Sequence, residues 1–481
     1  MVDLLVIGGG INGIGIARDA AGRGLSVTLV ERDDLGNATS SASSKLIHGG
    51  LRYLEQYEFR LVAEALAERE ILLRIAGHLT WPTRFVMPHV PELRPRWMIR
   101  TGLFLYDHLA RRSTLPGSEA IRLDAPPWSS GLKPHLKHGF AYSDCRVDDA
   151  RLVVCNAMDA RARGATIFAR TECLSARRTE QGWRASLSNG EEVEARAVVN
   201  AAGPWVKSVL NGPLGQPSQE SVRLVRGSHL VVPRLYEGSH AFILQNDDRR
   251  VIFMIPFEDD FTLLGTTDVA EPGTEPGVGT AEEFEYLCRA VNRYLARPVA
   301  PDDAVWRYWG TRPLYDDGTA DPSAVTRDYT LRIDHEGGRA PVLSVFGGKL
   351  TTYRKLAEQA MDKLAPYFPA MRGSWTQSAP LPGSDFADRS QAQAAVLSGY
   401  PNVSPEVLRG VFRRHGTLAG EVLGDGELGE HIGAGLTERE ILYMRDREWA
   451  RTADDVLWRR SKAGLHLDAR ARERVAKVIG A

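Results

Sequence analysis

Cysteine is scarce and scattered: Cys145, Cys155, Cys173 and Cys288 are the only four in 481 residues, with no C-x-x-C pair among them. That spacing argues against a disulfide framework or a zinc cluster and fits a reducing, cytoplasmic compartment. Net charge is nearly missing too, at −1, so no global field favours nucleic acid as a partner. No run approaches the roughly 18 uninterrupted apolar residues of a spanning helix, although this leaves a surface-lying amphipathic helix open. Repeats, low-complexity tracts, calcium-loop spacings and a Ser-His-Asp arrangement are also lacking, and no metal is expected. Met1 leads directly into an apolar, strand-like run, so no signal or transit peptide is expected. What remains is ordinary globular material, 43% hydrophobic and 25% charged, long enough for two or three domains.

The first thirty residues carry the strongest local signal. "DLLVIGGGINGIGIARDAAGRGLSVTLVER" reads as strand, glycine turn, helix, strand. Gly8, Gly10 and Gly13 form G-x-G-x-x-G, and Glu31 closes the second strand where a carboxylate can accept from ribose hydroxyls. The helix start offers free N–H groups and a positive dipole end to a pyrophosphate. An acid at this point disfavours a 2′-phosphorylated dinucleotide. The Ser-, Gly- and Asn-rich stretch that follows, "RDDLGNATSSASSKLIHGGLRYL", suits the flavin end of FAD better than nicotinamide.

Beyond it, Phe59 to Ala76 predicts a helix with Arg60–Glu64 and Glu70–Arg74 as i,i+4 pairs. Prolines break up the next stretch, and a helix becomes plausible only after Pro95. From Arg84 to Arg112 six arginines face two acids, with Trp97, Met98, Phe104, Leu105 and Tyr106 among them. This is the composition of an interfacial membrane contact, and equally of a packed helix with solvated arginines. "ARAVVNAAGPWV" predicts a buried strand returning through Ala202 and Gly203 to the nucleotide domain. "GSHLVVP", "RVIFMIPF", "FTLLGTTD" and "YTLRID" predict an antiparallel sheet. "APVLSVFGGKLTTYRKLAEQAMDKL" repeats strand, Gly347–Gly348 turn and helix, and residues after 379 read as a small helical domain.

Chemistry-bearing cations stand beside turns and strand ends: Arg52, Arg312, Arg327 and Lys349. If they converge, a phosphate or carboxylate substrate follows, since guanidinium forks match such anions. His48 is the general-base candidate by residue type.

Taken in order, "GGGINGIGIARDAAGRGLSV", "ATSSASSKLIHGGLRYLEQYEFRLVAEALAERE", "NAAGPWVK", "GTTDV", "TRPLYDD", "TRDYTL" and "SVFGGKLTTYRKLAEQA" resemble the bacterial FAD-dependent, aerobic respiratory glycerol-3-phosphate dehydrogenases. The resemblance implies an α/β chain, α+β overall. Its parts would be a glutathione-reductase-type FAD-binding Rossmann domain (1–80, 145–221 and 340–378), an antiparallel substrate and membrane-facing domain (81–144 and 222–339) and a helical C-terminal cap (379–481). It implies oxidation of sn-glycerol 3-phosphate to dihydroxyacetone phosphate, with hydride passing from C2 to flavin N5 and electrons going on to a membrane quinone. It also implies a homodimer attached peripherally to the inner face of the cytoplasmic membrane, for which 84–112 is the candidate anionic-lipid contact. Ser40, Ser41, Ser44, Lys45, Ala202, Gly203, Gly347, Gly348, Lys349, Leu350 and Thr351 would lie along FAD. Arg52, Tyr53, Thr267, Arg312, Arg327 and Lys349 would bind substrate, with His48, Arg312 and Arg52 as catalytic residues. His48 as base competes with an arginine-polarised alkoxide that releases its proton to water. The rival activities are a glycerol-3-phosphate oxidase using oxygen and a flavin-binding redox module without turnover.

Overall fold

A computed structural model of the chain describes residues 1–110, 114–248, 250–273, 275–316, 328–335 and 339–480. The opening segment folds as its pattern dictates: β1 (Val2–Ile7), α1 (Ile11–Gly22), β2 (Val27–Glu31). Because successive strand residues point to opposite faces, Leu4 and Val6 enter one apolar cluster and Leu5 and Ile7 another. β1 therefore lies at the centre of a sheet covered on both sides.

That sheet runs in the order Thr330–Asp334, Val342–Phe346, Glu192–Asn200, β1, β2, Thr166–Ala169. Four of the five pairings in this order are parallel, and the one at the Thr330–Asp334 edge is antiparallel. The strand in "YTLRID" thus belongs to this nucleotide-type sheet, not to the antiparallel sheet the sequence pattern assigns it to. Alternation fixes a strand's faces but not its partner. Apolar residues of α1, of the helix Asp149–Ala162 and of the helix Tyr353–Leu364 cover one face.

A second, larger sheet is antiparallel except where Ala241–Gln245 meets Thr80–Pro88 in parallel. It holds Val222–Pro233, Val251–Phe257, Phe261–Gly265, His138–Val147 and Trp306–Tyr315. The short strand Leu46–Ile47 also joins it, pairing with Arg146 and Cys145, so the chain leaves the nucleotide unit earlier than composition suggests. Two helices follow as expected, α2 (Phe59–Ile75) and α3 (Arg96–His108). α3 buries Ile99, Leu103 and Tyr106 and exposes Trp97, Met98, Phe104 and Leu105.

From Arg389 onward the chain is mostly helical, with its own apolar clusters. Buried ion pairs fasten it to the nucleotide unit: Arg151–Glu448 at 2.5 Å and Arg460–Asp34 at 2.6 Å. Among the described residues, no helix is long and apolar enough to cross a membrane, and no cluster of metal-ligating side chains occurs.

Candidate active site

An elongated cavity of about 330 Å³ runs from the first glycine turn to the facing edge of the antiparallel sheet. At its nucleotide end the glycines are sterically compulsory. Gly8 has φ +112°, and a Cβ there would meet Ala201 O at 2.5 Å; one on Gly13 would meet Gly8 O at 2.0 Å. Gly10 caps α1 without a side chain, so first-turn N–H groups are left toward the cavity, one of them donating to Ser40 Oγ at 3.0 Å. Glu31 lies beside them, its carboxylate accepting from Gly9 N at 2.6 Å and Asp33 N at 2.8 Å. Donors at a dipole end beside an anchored carboxylate are what a dinucleotide's pyrophosphate and ribose require. The residues present fit FAD. Ala202, Gly203 and the turn Gly347–Thr351 line the same cavity.

At the other end, two sheets contribute charged and aromatic groups. Arg312, on the strand Trp306–Tyr315, donates from Nη1 to Asp268 Oδ1 at 2.8 Å and from Nη2 to Thr266 Oγ1 at 3.1 Å. Asp268 also sits 3.6 Å from Arg52, so one carboxylate orients both guanidiniums. Lys349 projects its ammonium over the Tyr53 ring, 4.0 Å from the centroid. His48 lies edge-on to Phe253, its ring 6.2 Å away, and is half-buried. Burial, then the charges of Lys349 and Arg69, push its imidazole down to about 4. It is therefore neutral at physiological pH. His229, buried and stacked on Tyr308 with ring centroids 4.6 Å apart, shares a hydrogen bond of 3.0 Å with Ser44 Oγ.

A buried relay stands behind His48. Gly49 N donates to Tyr106 Oη at 2.8 Å, and Tyr106 donates to Asp144 Oδ2 at 2.7 Å. Arg69 in turn donates to Asp144 Oδ1 at 2.7 Å. The His48–Gly49 peptide is thus tied to the inward face of α3.

Most of the expected site residues meet in this cavity, with four departures. Lys45 has φ +57°, which turns it away; its ammonium bonds both oxygens of Asp149 at 2.9 Å and Ser41 O at 2.9 Å, so it supports the loop from behind. Ser41 contributes that carbonyl and does not line the cavity. Thr267 faces inward, donating to Glu283 Oε1 at 2.7 Å and accepting from Ser228 N at 2.8 Å. It stands behind Arg312 instead of beside the open space. Arg52 is set back from the lining and reaches the site through Asp268. Arg327, like Arg111 and Arg112 of the basic segment, lies outside the described residues. Sequence reading missed His229, Asp268 and Tyr106. For His229 a signal existed, because "GSHLVVP" alternates and puts a histidine on a buried strand.

Comparison with known proteins agrees with this geometry. A profile described as FAD dependent oxidoreductase matches residues 3–354, and one described as C-terminal domain of alpha-glycerophosphate oxidase matches 374–481. A glycerol-3-phosphate dehydrogenase of Pseudomonas aeruginosa is 51% identical over 99% of this chain and 94% of its own length. A D-erythritol 1-phosphate dehydrogenase of Brucella abortus is 49% identical over 97% of this chain and 95% of its own. Among solved structures, the glycerol-3-phosphate dehydrogenase from Bacillus halodurans complexed with FAD superposes with a TM-score of 0.74 at 26% identity, covering 99% of this chain and 93% of that one.

Proposed function

This chain is an FAD-dependent oxidoreductase of the glycerol-3-phosphate dehydrogenase family, and from that premise we propose that it oxidises sn-glycerol 3-phosphate to dihydroxyacetone phosphate and delivers the electrons to a membrane quinone. The observation that carries the reading is the convergence of Arg312, Lys349, Tyr53 and His48 at one end of a cavity whose other end fits a dinucleotide. When bound, FAD supplies the acceptor for the hydride leaving C2.

The chain's own groups do the rest. A phosphate monoester carries about −1.5 to −2 charge at neutral pH, and Arg312 and Lys349 offset it in a partly desolvated site. Asp268 holds Arg312 and Arg52 in a fixed relation, which lowers the ordering cost of binding. His48, neutral before substrate arrives, accepts the C2 hydroxyl proton on a ring nitrogen. A substrate anion nearby favours the imidazolium, so the base strengthens when it is needed. The exposed apolar ridge of α3 (Trp97 69% and Phe104 55% exposed), flanked by Arg96 and Arg100, is the surface proposed to rest on anionic lipid, with a second copy of the chain as partner.

The 49% identical erythritol-phosphate relative supports a second reading, in which the substrate is a longer polyol phosphate. Anaerobic addition of each candidate to the yellow holoprotein separates them. Prompt bleaching of the oxidised-flavin band by glycerol 3-phosphate is expected. Bleaching by D-erythritol 1-phosphate alone overturns the assignment in favour of the longer substrate, and bleaching by neither leaves only a flavin-binding module.

A further inference from the structure

The stretch "EWARTADDVLWRRSKAGL" (448–465) belongs to the C-terminal domain and lies outside the lining of the cofactor cavity. Its paired arginines nevertheless end on the loop that follows β2. Arg460 is fully buried and forks onto Asp34, Nη1 donating to Oδ2 at 2.6 Å and Nη2 to Oδ1 at 2.7 Å. Arg459 Nε donates to the same Oδ2 at 2.5 Å. Arg460 is held in turn by Glu448 O, which accepts from its Nε at 3.1 Å and its Nη2 at 2.6 Å. Asp34 is buried and turns its carboxylate away from the cavity, whereas its neighbours Arg32, Asp33, Gly36 and Asn37 line it.

That loop shapes the nucleotide end of the cavity. Gly36 N donates to Gly9 O at 3.0 Å, tying the loop to the first glycine turn, and buried Leu35 packs beside Gly9, where a Cβ would lie 3.1 Å from its Cδ2. A second fastening sits just beyond the strand Thr166–Ala169. Arg170 donates from its backbone N to Asp33 O at 2.8 Å and from Nη2 to the two Asp455 oxygens at 2.9 and 2.8 Å. The next residue, Thr171, lines the cavity and donates its N–H to Glu31 O at 2.7 Å. Asp455 also accepts from Arg459, and from Arg451 N at 2.7 Å and Thr452 N at 2.9 Å. One short segment of the C-terminal domain thus grips both stretches of chain that wall the cavity around Glu31.

We propose that Arg459 and Arg460 are positioning residues for the cofactor: clamping Asp34 from behind, they hold the ribose-facing loop in its bound shape and make the C-terminal domain a device for FAD retention. Desolvation cancels much of the attraction in a buried ion pair, so what the fork adds is chiefly direction, fixing the carboxylate and with it the loop. A loop already set before its ligand arrives spares binding the cost of ordering it. The inference rests on the fit of the cavity to FAD and is independent of which polyol phosphate is oxidised.

The test starts from the FAD-loaded full chain. FAD release on dilution is followed by the gain in flavin fluorescence, and ADP, which carries the adenosine end without the flavin, is titrated to block rebinding. Arg460→Lys keeps a charge but cannot form the fork. Because Arg460 is interior, Arg459→Gln, at a side chain 14% exposed, serves as a second variant. Each should speed FAD release by about tenfold and raise the ADP needed by a similar factor, as expected when a hydrogen bond to a charged group is lost. Glu440→Gln breaks the buried Arg414–Glu440 pair within the C-terminal domain and is the comparison for stability alone. It should lower the unfolding midpoint and leave FAD release unchanged at a temperature where every variant is folded. Release and ADP competition unchanged in both arginine variants overturn the proposal, and equal acceleration by Glu440→Gln reduces the clamp to general stability. Faster release with unchanged ADP competition also overturns it, since the loss would then lie away from the ribose loop. The readout is binding and not turnover, so it stands apart from the substrate assignment.

Discussion

Tyr106→Phe removes one oxygen that does two jobs. It accepts from Gly49 N at 2.8 Å and donates to Asp144 Oδ2 at 2.7 Å, and all three residues are buried. Asp144 keeps its bond from Arg69 at 2.7 Å, so its charge stays compensated and loses one donor only. The Gly49 N–H loses its Tyr106 acceptor and is left with the weaker pull of the Asp144 carboxylate. A hydrogen bond to a charged group is worth about 1.5–3 kcal/mol, and a buried unsatisfied donor costs about 1–3 kcal/mol. The two overlap, because both report removal of one atom, so a total near 2–3 kcal/mol is expected in urea unfolding of the holoprotein. The peptide released is the one that carries His48, and kcat should fall about tenfold while KM changes little. Steady-state kinetics with glycerol 3-phosphate and a dye acceptor, run beside the unfolding curve, measure both. Full stability with unaltered kcat would refute the claim that the relay positions the histidine. Loss of stability with intact kcat would confine the relay to scaffolding.

Arg312→Ala should raise KM for glycerol 3-phosphate about a hundredfold or more, in the 2–5 kcal/mol range for truncating a buried charge partner, with FAD content by absorbance unchanged. Gly13→Ala should abolish FAD retention after gel filtration, because the new Cβ would sit 2.0 Å from Gly8 O. Glu448→Gln leaves the fully buried Arg151, now 2.5 Å from that carboxylate, without its counter-charge, and should cost about 3–5 kcal/mol in thermal or urea unfolding. His48 sets an acid limit: its imidazole is held near 4 in the folded protein, whereas the unfolded chain has about 6.5. Between those values the unfolded state binds more protons, so stability is full above about pH 6.5 and falls as pH drops toward 4, by about 3 kcal/mol from this residue. His48→Gln should flatten that decline in a pH series of unfolding curves.

The glycine turn, Glu31 and α1 were legible in the sequence because their constraints are local: a sub-van-der-Waals contact at Gly13 excludes any other residue. α2 was legible from periodicity to within a residue, and the start of α3, though not its end, from the prolines that precede it. Convergence of Arg312, Lys349 and His48 followed only from family resemblance, since their separation along the chain carries no distance in space. Lys45 and Thr267 were expected along the cofactor and at the substrate, and the structure turns their side chains away from the cavity. A positive φ at Lys45 reverses its side chain, and a buried Glu283 draws Thr267 inward, and neither is written in residue type. The "YTLRID" strand failed for the same reason, because its pairing with Val342–Phe346 is a tertiary choice.

The order of strands in the nucleotide sheet has a consequence for biosynthesis. β1, made first, has Glu192–Asn200 as a neighbour, and the third strand of that parallel block is Val342–Phe346. α1 packs under Tyr353–Leu364, and the turn at Gly347–Thr351 completes the cofactor cavity. A nascent chain therefore carries an incomplete, apolar Rossmann half through most of translation, and cofactor capture waits for residues near 350 to leave the ribosome. Chains truncated before that turn should retain no flavin and should depend on chaperones, whatever the soundness of the motif at their N-terminus.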